Sequence, residues 1–160
     1  MNVSSHRTRV FIHAPRDTKV LVMLRHFGND DVLLLPGGGV DEGETAEAAL
    51  LREVEEEIGI DLLDLKMVYQ WTGTSKVTGH LLHYYPSGST VTNNFDFFTA
   101  STGTNKLPKL KEPEKFSRID WVEPNKIVAY AKQHHAKVGD GILEALNALG
   151  FFTKAHASAW

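Results

Sequence analysis

Glu53, Glu56 and Glu57 stand inside the run Arg52-Glu53-Val54-Glu55-Glu56-Glu57. On an α-helix turning about 100° per residue, these three carboxylates project within an arc of roughly 100°. Like charges at such spacings oppose one another by a few tenths of a kcal/mol per pair. Glu47 and Glu55 crowd the same helix further. A cation over that face turns the repulsion into attraction. Oxygen donors in a chain without cysteine suit Mg²⁺, or Mn²⁺, rather than zinc. Mg²⁺ held by a few carboxylates keeps waters and takes phosphate oxygens as its remaining ligands, so the chemistry implied is chemistry at phosphorus. An acid-rich helix face is ordinarily just solvated, and a glycine run after a strand is ordinarily a turn. The spacing of the whole segment separates the two readings.

Several elements must position that face. Leu50, Leu51, Val54 and Ile58 recur at helical spacing and predict a helix over Thr45–Ile58, with Thr45 as N-cap, Glu47 in its first turn and Gly59 as C-cap. Before it, Val10–Ile12, Lys19–Arg25 and Val32–Leu35 are short β-prone runs, the last stopped by Pro36-Gly37-Gly38-Gly39. Glycines there let backbone groups approach closely, since no Cβ obstructs them. After the helix, Leu65–Thr72, His80–Tyr85, Phe95–Ala100 and Ile119–Val122 read as strands, with loops at Thr72–Gly79, Ser87–Asn94 and Ser101–Glu114. Two helices follow, about Asn125–His135 and Gly141–Leu149. No repeat or long linker divides the chain, which predicts one α/β domain over residues 1–160.

Gly38, five residues, Glu44, seven residues, then Arg52-Glu53-Val54-Glu55-Glu56-Glu57-Ile58-Gly59-Ile60 meets every specified position of a known pattern. The stretch resembles the Nudix box, Gly-x5-Glu-x7-Arg-Glu-U-x-Glu-Glu-x-Gly-U with U aliphatic. Agreement at the seven fixed identities arises by chance about once in 10⁸ at ordinary residue frequencies. The resemblance implies a Nudix fold, a mixed β-sheet sandwiched between α-helices (an α/β/α sandwich), with the box holding divalent metal. It also implies metal-dependent hydrolysis of a diphosphate bond in a nucleoside diphosphate linked to another moiety.

By the same resemblance Glu53, Glu56 and Glu57 are the acidic metal set, with the Gly37 or Gly38 carbonyl as an additional ligand. Arg52 would orient a glutamate by charge-assisted hydrogen bonding, and Glu44 would brace the loop against the helix. Glu53 is one candidate general base, and Glu112 and Glu114 of the downstream loop are others, either of them open to a role as metal ligand. Arg25, and more weakly Lys19 and Lys115, are candidates for the substrate phosphates, with Gly38 and Gly39 offering backbone groups. Base recognition needs an aromatic face; Tyr84 and Phe98 are the named candidates among Tyr69, Trp71, Tyr84, Tyr85, Phe95 and Phe98, most of which strand spacing assigns to the core. His80, His83, His134 and His135 form no recognisable ligand set.

Composition limits the partners. Seventeen Lys+Arg against twenty Asp+Glu give a formal charge of −3, with no basic excess for binding a long nucleic acid. Met1 to Arg9 is polar with no apolar segment behind its charges, and no apolar run approaches the roughly 18 residues of a membrane span. These features predict a cytoplasmic protein, and the family resemblance implies a small-molecule nucleotide substrate and a monomer or homodimer. Sequence marks of ADP-ribose, diadenosine polyphosphate and nicotinamide-dinucleotide hydrolases are absent downstream of the box, which leans toward nucleoside triphosphates. The competing reading is a Nudix-fold sensor that binds a nucleotide without cleaving it; the complete acid set argues against it.

Overall fold

The computed structural model describes residues 2–27 and 29–151, His80 in its backbone alone. Among the described residues, eight strands form one mixed sheet: β1 (Asn2–His13), β2 (Val20–Phe27), β3 (Asp30–Leu34), β4 (Gly37–Gly39), β5 (Leu63–Lys76), β6 (Thr90–Ser101), β7 (Phe116–Val122) and β8 (Ala136–Val138). The α-helices of the described residues are α1 (Ala46–Glu57), α2 (Ile127–Gln133) and α3 (Ile142–Ala148).

The order β5-β6-β1-β2-β3-β8 conceals a split. β1 runs parallel to β6 over its whole length, from Asn2 opposite Thr90 to His13 opposite Ser101, but meets β2 only where His13 pairs with Val20. Beyond that point the free edge of β1 takes β4, with Thr8 opposite Gly38, and β2 takes β7. The glycine strand thus lies where the two halves of the sheet diverge, and α1 packs on β4 and β1.

Successive strand residues face opposite sides of a sheet, and here both sides are covered. Val10, Ile12, Leu21 and Met23 pack with Leu50, Val54 and Ile58 of the α1 segment. Phe11, Val20 and Val22 pack with Ile127 and Ala131 of α2 and Ile142 and Leu146 of α3. The sheet sandwiched between helices, implied by the box, is what the chain forms. Two-sided burial also explains why Val20-Leu21-Val22-Met23 is an unbroken apolar run, every member 0% exposed. Leu51, expected on the buried face of α1, is 46% exposed; it lies at the edge of the apolar arc, a full residue step from Leu50.

α1 begins and ends as its sequence predicts. The Thr45 hydroxyl accepts from the Ala48 amide at 3.1 Å, and the Ile58 and Gly59 amides both donate to the Val54 carbonyl, with Gly59 at φ 60°. The last turn carries no base of its own, and Lys111 fills that role by donating from Nζ to the Glu55 carbonyl at 3.0 Å.

Elsewhere the structure corrects the expected elements. His80–Tyr85 is not a strand; Gly79–His83 is a 3-10 turn. The β5–β6 ladder closes with Lys76 opposite Thr90 and the Val77 amide on the Ser89 carbonyl, which leaves these residues outside the pairing. Gly79 at φ 56° starts the turn. β1 extends back to Asn2, because the parallel ladder to β6 supplies backbone partners that its polar side chains do not advertise. β8, three residues long and parallel to Asp31–Leu33, has no periodicity to reveal it. Among the described residues, no helix is long and apolar enough to cross a membrane.

Candidate active site

Two adjacent glycines bring the sheet and α1 together for different reasons. Gly37 sits at φ 140°, and a Cβ there would lie 2.0 Å from the Thr8 carbonyl oxygen. At Gly38 a Cβ would meet not backbone but the Glu53 carboxyl, 2.4 Å from its carbon and 2.6 and 2.7 Å from its oxygens. The Glu53 carboxyl therefore occupies the space a side chain at position 38 would fill. Gly39 has nothing within 4 Å of the same construction.

Arg52 ties this arrangement together. Its Nε and Nη2 donate to the two oxygens of Glu44 at 3.0 and 2.8 Å, a bidentate pair. Nη2 also donates to the Gly39 carbonyl at 3.1 Å, and Nη1 to Glu53 Oε1 at 3.1 Å. Glu56 Oε1 stands 3.6 Å from the same Nη1. The Glu44 carboxylate, bonded by Arg52 and by the Asp41 amide, is held down at about 2. One guanidinium thus links loop, glycine strand and helix.

Glu57 is 3% exposed, and its Oε1 accepts from the Gly37 amide at 2.9 Å. Burial pushes its carboxyl up to about 8, against the Gly37 hydrogen bond and the charge of Arg9. Burial also raises Glu53, against its hydrogen bond from Arg52. Glu56 points further out, with 52% of its side chain exposed. Two carboxyls on one helix face, both raised by burial and both made of hard oxygen donors, fit a divalent cation, which would favour their ionised forms. Among the described residues no three carboxylate or imidazole groups already converge as a cation site; Arg52 and the Gly37 amide engage oxygens of Glu53 and Glu57.

The downstream loop closes on the C-terminal end of α1. The Lys111 amide donates to the Glu57 carbonyl at 2.8 Å, and the neighbouring Glu112 adds its charge to those that raise the Glu57 carboxyl. Glu112 is paired with Lys115 Nζ at 2.7 Å. Glu114, its fellow candidate, is exposed and has no recorded contact with these acids. Lys115 lies within electrostatic reach of both Arg25 and Glu53. Arg25 stacks over Phe27 at 4.4 Å and near Phe116 at 5.8 Å, at the site end of β2, whereas Lys19 precedes the opposite end.

The aromatic candidates divide. Phe98 is 5% exposed among Val10, Ile12 and Leu50, so it is part of the α1-side core and offers no face to a base. Tyr69, Trp71 and Phe95 belong to the opposite core, as strand spacing suggested. Tyr84 is 65% exposed and borders an open hollow with Arg25, Phe27 and His83. One residue escaped notice altogether: Arg9 is 6% exposed in the middle of β1, opposite Gly37, and its charge bears on both Glu57 and Glu53. The signal available was a cation abutting the apolar run Val10-Phe11-Ile12.

Comparison with known proteins supports this architecture. The dihydroneopterin triphosphate diphosphatase of Escherichia coli K12 is 38% identical over 84 residues, 51% of this chain and 55% of that protein. The chain thus matches about half the length of that relative. The RNA pyrophosphohydrolase of Gluconobacter oxydans is 29% identical over 119 residues, 71% of this chain and 68% of that protein. The solved structure of the E. coli dihydroneopterin triphosphate pyrophosphohydrolase superposes with a TM-score of 0.63 at 28% identity, covering 79% of this chain and 87% of that one. The model of the NUDIX domain matches residues 5–142, a span that holds the glycine strand, the Arg52 network and the downstream loop, and the chain belongs to the Nudix family.

Proposed function

We propose that the protein hydrolyses a diphosphate bond in a nucleotide-type substrate, a nucleoside triphosphate before others, with Mg²⁺ or Mn²⁺ held by Glu53, Glu56, Glu57 and a carbonyl of Gly37 or Gly38. The observation that carries this reading is the placement of the Glu53 carboxyl in the space beneath Gly38, with one oxygen on Arg52. A solvated acidic face has no use for a glycine cut to fit one of its carboxylates.

When bound, a divalent cation supplies charge neutralisation on phosphoryl oxygens and a more acidic water. The remaining work falls to this chain. Glu53 is the preferred base: its carboxyl fills the space beneath Gly38, and Arg52 fixes its orientation. Glu112, tied to Lys115, serves to set the charge at Glu57 rather than to accept that proton. Arg25 and Lys115 offer positive charge toward the phosphates. Glu44 keeps Arg52 in place through two hydrogen bonds and touches nothing that reacts.

A panel of nucleotides, read by phosphate and pyrophosphate release with Mg²⁺, Mn²⁺ or a chelator, tests the reading. Release that requires the metal, and that falls by about 10²–10⁴-fold in Glu53→Gln with the fold intact, is expected. Tight nucleotide binding with no product would move the protein to the sensor class, and undiminished release by Glu53→Gln would remove Glu53 from its role.

A further inference from the structure

Arg9 is a buried cation that the scheme above does not use. It occupies the middle of β1, with Gly37 opposite it on one side and Phe97 on the other. At 6% exposure its guanidinium has one recorded hydrogen bond, from Nη1 to the Leu35 carbonyl at a long 3.4 Å, and lies 6.0 Å from the centre of the Phe95 ring. Among the described residues, no carboxylate stands within 4 Å of it. A guanidinium carries five N–H donors and does not shed its charge easily, so burying it with a single weak acceptor is costly. The fold could have placed an apolar residue there, since Val10, Phe11 and Ile12 follow directly.

Its neighbourhood says what it lacks. Gly37, its partner across the ladder, is the residue whose amide holds Glu57. The charges of Glu57 and Glu53 favour the Arg9 guanidinium, and those of Arg7 and Arg25 oppose it.

We propose that Arg9 is a substrate-binding residue whose free N–H groups donate to oxygen acceptors of the substrate, phosphate oxygens beside the Gly37–Glu57 contact. The inference rests on the phosphate-directed reading of the site but not on turnover. A carbonyl oxygen on the nucleobase offers the same acceptor chemistry, and the experiment separates the two sources.

Arg9→Met keeps the volume and removes the charge, and Arg9→Lys keeps the charge and removes the fork. Thermal melting and calorimetric titration with inorganic tripolyphosphate, and with a non-hydrolysable nucleoside triphosphate, are measured with Mg²⁺ for both variants and wild type. A structural arginine should lose stability on becoming methionine. A cation kept for its ligand should do the reverse: Arg9→Met melts at or above the wild-type temperature while binding weakens about 10–100-fold, the loss of one or two charged hydrogen bonds. Equal weakening toward tripolyphosphate and nucleotide assigns the acceptor to phosphate; weakening toward the nucleotide alone assigns it to the base. Unchanged affinity for both in either folded variant overturns the proposal, as does failure of both variants to fold. Wild-type protein that binds these probes yet releases no product from a cleavable nucleotide defeats the hydrolytic reading and leaves this one standing.

Discussion

Replacing three consecutive glycines one at a time separates positioning from folding. At Gly38 an added methyl carbon would sit 2.4 Å from the Glu53 carboxyl carbon, against about 3.4 Å for ordinary contact. The obstacle is the end of a flexible side chain, and Gly38 has no left-handed φ to protect, so the backbone can stay and the carboxyl must retreat by about 1 Å. A displacement of that size carries Glu53 off Arg52 Nη1 and costs on the order of 10²-fold in turnover, about 2.7 kcal/mol of transition-state stabilisation. Folding should change little, within about 1 kcal/mol. Gly37→Ala must fail differently: its Cβ would meet the Thr8 carbonyl oxygen at 2.0 Å with φ at 140°, so the ladder to β1 breaks and the protein melts early or does not fold. Gly39→Ala meets nothing within 4 Å and should be close to neutral in both respects. Melting temperature and metal-dependent pyrophosphate release, measured on the three variants side by side, decide the matter. Wild-type turnover in Gly38→Ala, or a larger loss in Gly39→Ala than in Gly38→Ala, would refute the reasoning.

Acid stability should report the Arg52 fork. Glu44 falls from an ordinary 4.5 to about 2 on folding, so its contribution is fully present above pH 4.5 and is lost as pH drops through the folded value near 2; Glu44→Gln should flatten that limb of the stability curve in acid titrations of melting temperature. Leu50, 0% exposed under the sheet, anchors the buried face of α1, and Leu50→Ala should destabilise by about 2–5 kcal/mol in denaturant unfolding; a cost below about 1 kcal/mol would mean that α1 is held by the Arg52 network rather than by its apolar face.

Much of the site was legible because its parts are local. Arg52, Glu53, Glu56 and Glu57 share one helix, and helical geometry alone puts their side chains on one face; Thr45 and Gly59 bound that helix by chemistry confined to a few neighbouring residues. The strands beside it, read as Val10–Ile12 and Lys19–Arg25, declared themselves through runs of apolar residues that two-sided burial demands. What sequence could not supply were relations between residues far apart in the chain. Nothing near Gly38 states that Glu53 fills its missing side chain, nor that Gly37 serves a different neighbour, Thr8. Glu112 and Glu114 are equivalent as letters, and only in the fold, where Lys111 docks on the end of α1, does the charge of the first bear on Glu57. Phe98 reads as a surface aromatic as readily as a core one until strand register decides its side. Arg9 is the clearest case: a cation on a polar segment by composition, it becomes a buried charge beside the acids because β1 is enclosed by β4 and β6. Local spacing determines which groups a helix presents together, while burial and long-range pairing, which depend on the closed sheet, determine what each group faces and how strongly it holds its proton.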